Sequence, residues 1–141
     1  MRIVIVSDAW HPQTNGVVRT LETVGSELRA RGHEVCYLTP EHFSSIPCPT
    51  YPEIPLCYNV RRRLRRMIDA WQPCAIHVAT EGPLGLAARA YCRRRRLPFS
   101  SAYHTRFPEY LLARFRVPRR WTYAMLRWFH NAAARTMVAT P

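Results

Sequence analysis

The 141-residue sequence contains no lysine: all 21 of its basic residues are arginine, against 9 acidic residues, for a formal net charge of +12. Without lysine there is no GxxxxGK[ST], so a phosphate-loop nucleotide hydrolase is excluded. Glycine is scarce too. The five glycines, at positions 16, 25, 32, 82 and 85, never form GxGxxG, which argues against a dinucleotide-binding domain of the NAD type. The cysteines are Cys36, Cys48, Cys57, Cys74 and Cys92. Their number is odd, no CxxC occurs, and no histidine stands at zinc-finger spacing, so reduced thiols in the cytoplasm are expected. No apolar run reaches the roughly 18 residues that span a bilayer. Asp8 cuts the apolar start short of a signal-peptide core. Any membrane role is therefore expected to be peripheral, on the inner face of the cytoplasmic membrane.

What remains is enough for one domain. A chain of this size buries about 68–70% of its unfolded surface, and 48% of the residues are hydrophobic. The composition excludes a disordered tail and a disulfide mini-protein. The excess of positive charge predicts an anionic partner: nucleic acid, a membrane surface or a phosphorylated substrate.

Ile3 to Val6 is a continuous β-branched run, suited to a strand buried on both faces of a parallel sheet. Val17, Val18, Leu21, Val24 and Leu28 recur at helical spacing, and Gly32 stands where a helix C-terminal glycine is expected. Val35 to Thr39 reads as a second strand. Residues 40–55 carry five prolines and read as a loop with no regular element. A helix is expected over Val60 to Trp71, a strand over Ala75 to Ala79, and a helix from Pro83 to about Arg96. A fourth strand is expected over Phe99 to Tyr103. Two helices should follow, Pro108 to about Arg116 and Pro118 to about Arg135, then a strand beginning at Met137. Alternating strands and helices imply a Rossmann-like, doubly wound α/β fold with a parallel sheet. In such folds ligands lie beyond the carboxyl ends of the strands.

After the first strand, Gly16 opens a helix whose free N–H groups suit a phosphate; a plain turn with Asn15 as helix cap explains the same residues. After the third strand, Glu81 can accept a sugar hydroxyl or cap the following helix. After the fourth, His104 is polar and at the ligand end, though a lone histidine is more often structural. His77, inside the third strand, is more readily structural still.

Three stretches together resemble the N-terminal domain of a GT-B glycosyltransferase, of the retaining family 4. They are Arg2 to Val35 (RIVIVSDAWHPQTNGVVRTLETVGSELRARGHEV), Ile76 to Gly85 (IHVATEGPLG) and Ala102 to Leu111 (AYHTRFPEYL). The last is similar to the glycolipid-forming branch, such as diacylglycerol glucosyltransferases and phosphatidylinositol mannosyltransferases. The resemblance covers nearly all of residues 1–141. It implies two facing domains with the active site between them, a nucleotide-diphosphate sugar as donor, a lipid acceptor and no metal or other cofactor. The absence of a His/Asp/Glu cluster at ligand spacing agrees. By position it implies that Asn15 and Gly16 face the donor diphosphate and that His104 is the catalytic histidine near the transferred sugar. Trp10, His11, Glu81, Thr105 and Arg106 would border the acceptor and sugar pocket. The family's donor domain carries a lysine and two glutamates separated by seven residues. Neither feature occurs in this chain, so the donor-binding half is expected to be absent and the chain alone inactive.

Arg61, Arg62, Arg63, Arg65 and Arg66 share a helix with an apolar side of Val60, Leu64, Met67, Ile68 and Trp71. This basic amphipathic pattern suits an anionic membrane surface. A crossover helix packed on its own sheet has the same pattern, and snorkelling arginines allow both. Arg93 to Arg96 form a second cluster at a helix C-terminus, where they also complement the dipole. Trp121, Met125, Trp128 and Phe129 form a stripe expected in the core or against a second domain. A nucleic-acid binder remains the reading from another class, without a recognisable motif. A basic non-catalytic module on anionic membrane is the third.

Overall fold

The computed structural model describes residues 1–11, 16–47, 55–103 and 119–138. The main sheet is built from β1 (Arg2–Val6), β2 (Glu34–Leu38), β5 (Ala75–Val78), β6 (Ser100–Tyr103) and β7 (Arg135–Val138). Its order is β2-β1-β5-β6-β7, and every pairing is parallel. The helices are α1 (Gly16–Ala30), α2 (Val60–Trp71), α3 (Pro83–Arg95) and α4 (Arg119–Asn131). This is the expected Rossmann-like, doubly wound arrangement.

The β-branched run of β1 is central and buried on both faces. Val4 and Val6 join the core under α2 and α3, with Phe129 of α4. Ile3 and Ile5 join the core under α1. Alternation along one strand thus feeds two hydrophobic layers, each fully buried aliphatic side chain contributing about 1.5–3 kcal/mol. α1 ends as its glycine predicts. Gly32 takes φ +90°, Gly32 N–H donates to the Arg29 carbonyl and His33 N–H to the Leu28 carbonyl, both at 3.0 Å.

Three expectations need correction. The stretch 40–55 is not without regular structure: it holds a 3₁₀ turn, Pro40–His42, and an antiparallel pair of β3 (Ser45–Pro47) with β4 (Pro55–Cys57). Pro47 faces Pro55 at one end of that two-stranded ribbon, where few ladder donors are needed. On α1, Val24 is exposed rather than on the buried stripe, and Gly25 is buried in its place. A Cβ on Gly25 would collide with the Tyr37 hydroxyl. The final helix stops at Asn131, not near Arg135, and β7 begins at Arg135 rather than Met137. The chain turns there because Ala134 N–H donates to the Phe99 carbonyl at 2.8 Å, feeding β7 into register with β6. The aromatic stripe of α4 is split. Phe129 is buried, while Trp121 and Trp128 are 62% and 53% exposed. The expected helix over 108–116 lies outside the described residues.

α2 has the expected bounds. Val60, Leu64 and Ile68 are buried, and all five of its arginines are exposed. It is tied to α3 through Asp69, which accepts hydrogen bonds from the Tyr91 hydroxyl (2.6 Å) and Arg95 (2.9 Å). These donors, Tyr91 first, hold the Asp69 carboxyl below its usual range. Burial and the Asp69 contact push the Tyr91 hydroxyl up to about 12. A carboxyl with a lowered pKa contributes stability above its unfolded value of about 3.9 and loses it as pH falls through the folded value. Asp69→Asn is therefore expected to flatten the acid limb of the stability profile by a small amount. The urea midpoints of the two proteins should converge as pH falls below the unfolded value of about 3.9; an unchanged acid limb would contradict it.

Candidate active site

The sheet order reverses between β1 and β5. That junction is the topological switch point, and the crevice beyond its carboxyl ends is where a doubly wound sheet binds its ligand. Two helix N-termini converge on it, those of α1 and α3.

The α3 terminus is filled from within the protein. Asp8, just past β1, accepts hydrogen bonds from Leu84 N–H (2.7 Å) and Gly85 N–H (3.2 Å) and from the Thr80 hydroxyl (2.6 Å). The Asp8 N–H donates back to Thr80 Oγ at 2.7 Å. α3 has no capping side chain of its own at Gly82, so Asp8 is a cap supplied from 76 residues away in sequence. Burial pushes the Asp8 carboxyl up, against the pull of Thr80 and the backbone N–H groups of Leu84, Gly85 and Gly82. The fit leaves no room for side chains. A Cβ on Gly82 would stand 2.5 Å from the Asp8 carboxyl carbon, and one on Gly85 would stand 1.8 Å from the Thr80 carbonyl oxygen.

The first turn of α1, like that of α3, contains no acidic residue. Among the described residues, nothing lies within 4 Å of where a Cβ on Gly16 would be. Of the two N-termini at the crevice, that of α3 is the one closed by a described side chain, Asp8.

The other candidates are distributed around this point. Trp10 is half-buried and packs on Tyr37 with ring centroids 4.6 Å apart, and it meets His11 edge to face at 5.3 Å. His11 Nε2 is paired with Glu22 on α1. Trp10 and His11 are thus docked on the α1 side of the crevice, in the connection that leads to Gly16. Tyr37 is itself anchored by donating its hydroxyl to the Leu21 carbonyl at 2.8 Å. Asn15, His104, Thr105 and Arg106 lie outside the described residues.

Glu81 goes elsewhere. Its side chain is only 7% exposed and pairs with His130 Nε2 at 2.7 Å. His130 Nδ1 shares a hydrogen bond with Ser101 Oγ at 2.8 Å, and Ser101 Oγ with Thr136 Oγ1 at 3.0 Å. The carboxylate–imidazole–hydroxyl sequence has the composition of a hydrolytic triad. Ser101 is, however, completely buried, so no substrate reaches its oxygen. The relay instead joins the β5–α3 connection to α4, β6 and β7. Glu81 does not cap α3; Asp8 does. His77 is likewise engaged within the sheet, its Nδ1 2.7 Å from Ser100 Oγ.

Sequence reasoning missed Asp8, His130 and Arg89. Arg89 is buried on α3 and donates to the carbonyls of Trp128 (3.1 Å) and Phe129 (3.4 Å) near the end of α4. Its guanidinium lies 3.6 Å from the Trp128 ring centroid. The signals were present but weak: an aspartate directly after a strand, and an arginine amid alanines on a helix.

Arg61, Arg62, Arg63, Arg65 and Arg66 occupy the first half of α2. The far end of that helix is fixed at the amino edge of the sheet, where Arg2 donates to the Trp71 carbonyl at 3.0 Å. The arginines therefore lie toward the crevice end of the molecule. Among the described residues no helix is long and apolar enough to cross a membrane. The described cysteines, Cys36, Cys57, Cys74 and Cys92, are all free thiols.

A parallel, doubly wound sheet with two helix N-termini at its switch point defines a Rossmann-like domain, of the kind that forms the N-terminal half of a GT-B architecture. The sequence places it more narrowly. Residues 14–141 match Glycosyltransferase Family 4, and the chain belongs to that family. It is 30% identical to the sulfoquinovosyl transferase SQD2 of Arabidopsis thaliana over 79% of this chain and 24% of that protein. It is 26% identical to the alpha-monoglucosyldiacylglycerol synthase of Streptococcus pneumoniae over 79% of this chain and 28% of that one. It is also 26% identical to a GDP-mannose-dependent alpha-mannosyltransferase of Mycobacterium tuberculosis, over 97% of this chain and 41% of that enzyme. The chain thus spans between about a quarter and two fifths of the length of these relatives.

Proposed function

We propose that this chain is the acceptor-side half of a retaining glycosyltransferase that works without a metal. It moves a hexose from a nucleotide-diphosphate sugar to a lipid acceptor at an anionic membrane surface. The observation that carries this reading is the place of the α1 N-terminus, directly after β1 at the switch point, in a chain that belongs to Glycosyltransferase Family 4. The donor diphosphate lies against the N–H groups at Asn15 and Gly16. His104 hydrogen-bonds the transferred sugar or stabilises charge developing at the reacting centre. Trp10, His11, Thr105 and Arg106 border the acceptor. Glu81 contributes by holding the β5–α3 connection in place through His130. Lipid as acceptor is supported by the name of two relatives, the alpha-monoglucosyldiacylglycerol synthases of Streptococcus pneumoniae and Acholeplasma laidlawii. The exposed arginines of α2 support an anionic bilayer as the working surface, each worth about 1 kcal/mol near such lipid.

The purified 141 residues are expected to show no sugar transfer from any nucleotide sugar to diacylglycerol, because the chain lacks the family's glutamate pair and lysine. Detectable turnover would overturn that part. In a full-length enzyme carrying this chain, His104→Ala should lower kcat tenfold or more with the circular dichroism spectrum retained. Unchanged turnover would remove His104 from the site. Co-sedimentation with anionic vesicles should exceed retention on duplex DNA at matched salt; the reverse order would favour a nucleic-acid binder.

A further inference from the structure

The second arginine run has no part in the function proposed above. Arg93 to Arg96 lie where α3 ends and β6 is about to begin, at the amino end of the sheet and away from the β1/β5 crevice. A pocket of about 510 Å³ opens there, within the roughly 300–1,000 Å³ of small-molecule sites. Its lining includes Arg93, Arg96, Leu97, Pro98, Phe99 and Ala132.

One side of this pocket is cationic. Arg95 is already paired with Asp69 at 2.9 Å. Among the described residues, Arg93 and Arg96 have no carboxylate within ion-pair distance. Arg93 also repels Arg89, whose own charge is chiefly disfavoured by burial. Arg96 takes a left-handed conformation, φ 54°, at the position after a helix that usually holds glycine. Leu97 N–H donates to the Cys92 carbonyl at 2.8 Å and Arg96 N–H to the Arg93 carbonyl at 3.3 Å, completing the turn. A guanidinium therefore stands at the pocket rim where a helix closed by glycine would place no side chain.

The other side is apolar. Leu97 is 42% exposed beside Pro98, and Phe99 and Cys92 are buried behind them. Burial pushes the Cys92 thiol up to about 12, so it is an unreactive wall and not a nucleophile.

We propose that this pocket binds a phosphate-monoester amphiphile, with the phosphate on Arg93 and Arg96 and an aliphatic chain along Leu97, Pro98 and Phe99. A phosphate monoester carries about −1.5 to −2 charges at pH 7, which balances two guanidinium groups, and arginine engages phosphate bidentately. Inorganic phosphate leaves the apolar wall unused, and a neutral lipid leaves both arginines bare. The site is independent of sugar transfer, and so is its test.

The test is calorimetric titration of the 141-residue chain with octyl phosphate, inorganic phosphate and octanol at matched ionic strength. Octyl phosphate should bind at least tenfold more tightly than either of the others. Arg93→Gln with Arg96→Gln should weaken octyl phosphate at least tenfold. Leu97→Ser should weaken octyl phosphate and leave inorganic phosphate unchanged. Arg19→Gln with Arg31→Gln, on α1 and just past its end, should keep the original affinity. All these positions are exposed, so the fold should survive, which circular dichroism checks. Equal affinity for octyl phosphate and inorganic phosphate would reduce the pocket to a plain anion patch and overturn the proposal. Loss of binding in the Arg19/Arg31 variant, or its retention in the Arg93/Arg96 variant, would overturn it equally.

Discussion

Asp8→Ala is expected to cost roughly 3–5 kcal/mol, a large part of the 5–15 kcal/mol that holds a typical domain folded. The carboxylate accepts from the Thr80 hydroxyl and from the N–H groups of Leu84 and Gly85. Removing it leaves all three donors in a site shielded from solvent, and an orphaned buried donor costs about 1–3 kcal/mol. The three penalties are not additive, because a water entering the vacated space would satisfy some of them. Loss of the cap alone accounts for about 1 kcal/mol. Asp8→Asn keeps the shape but turns an NH₂ toward other donors, so it should recover less than half of the loss. Urea unfolding of the three proteins checks the order: native, then Asn, then Ala. A native-like midpoint for Asp8→Ala would show that the two loops do not depend on this carboxylate.

The parts of the fold set by periodicity were readable from the sequence. β1 declares itself by four consecutive β-branched residues, α2 by its single apolar side, and the end of α1 by Gly32. The failures share a cause: they depend on partners distant in sequence. Val24 fits the stripe of α1 as well as Gly25 does, and only the approach of Tyr37 selects Gly25 for the buried side. Prolines at 47 and 55 break helices and central strands, yet a two-stranded edge ribbon tolerates them. The end of α4 is set by a hydrogen bond to Phe99, which no local pattern announces. The site divides the same way. The α1 terminus could be located from Gly16 alone. That Glu81 is withdrawn from the crevice could not, because its partner His130 lies 49 residues away.

Gly85→Ala separates local propensity from tertiary fit most sharply. On propensity alone, replacing a helical glycine by alanine should stabilise by about 1 kcal/mol. The structure predicts the opposite sign. The new methyl carbon would stand 1.8 Å from the Thr80 carbonyl oxygen and 2.8 Å from its carbon. Both are backbone atoms that Asp8 holds in place through Thr80, so no side-chain rotation relieves the overlap. α3 must then retreat from the end of β5. That withdraws Leu84, Ala87, Ala88 and Cys92 from the core and pulls the Gly85 N–H off Asp8. Overpacking usually costs about 1–3 kcal/mol; with the cap disrupted as well, a net loss of about 3 kcal/mol or more is expected. Gly25→Ala is the matched control. Its methyl would collide with the Tyr37 hydroxyl, the far end of a side chain that can swing away. The cost there is the Tyr37–Leu21 hydrogen bond and part of the Trp10 stack. Unfolding midpoints should therefore fall further for Gly85→Ala than for Gly25→Ala. Equal stability of Gly85→Ala and the native chain would mean that α3 and the β5 loop are not in this close contact, and the Asp8 cap would fail with it.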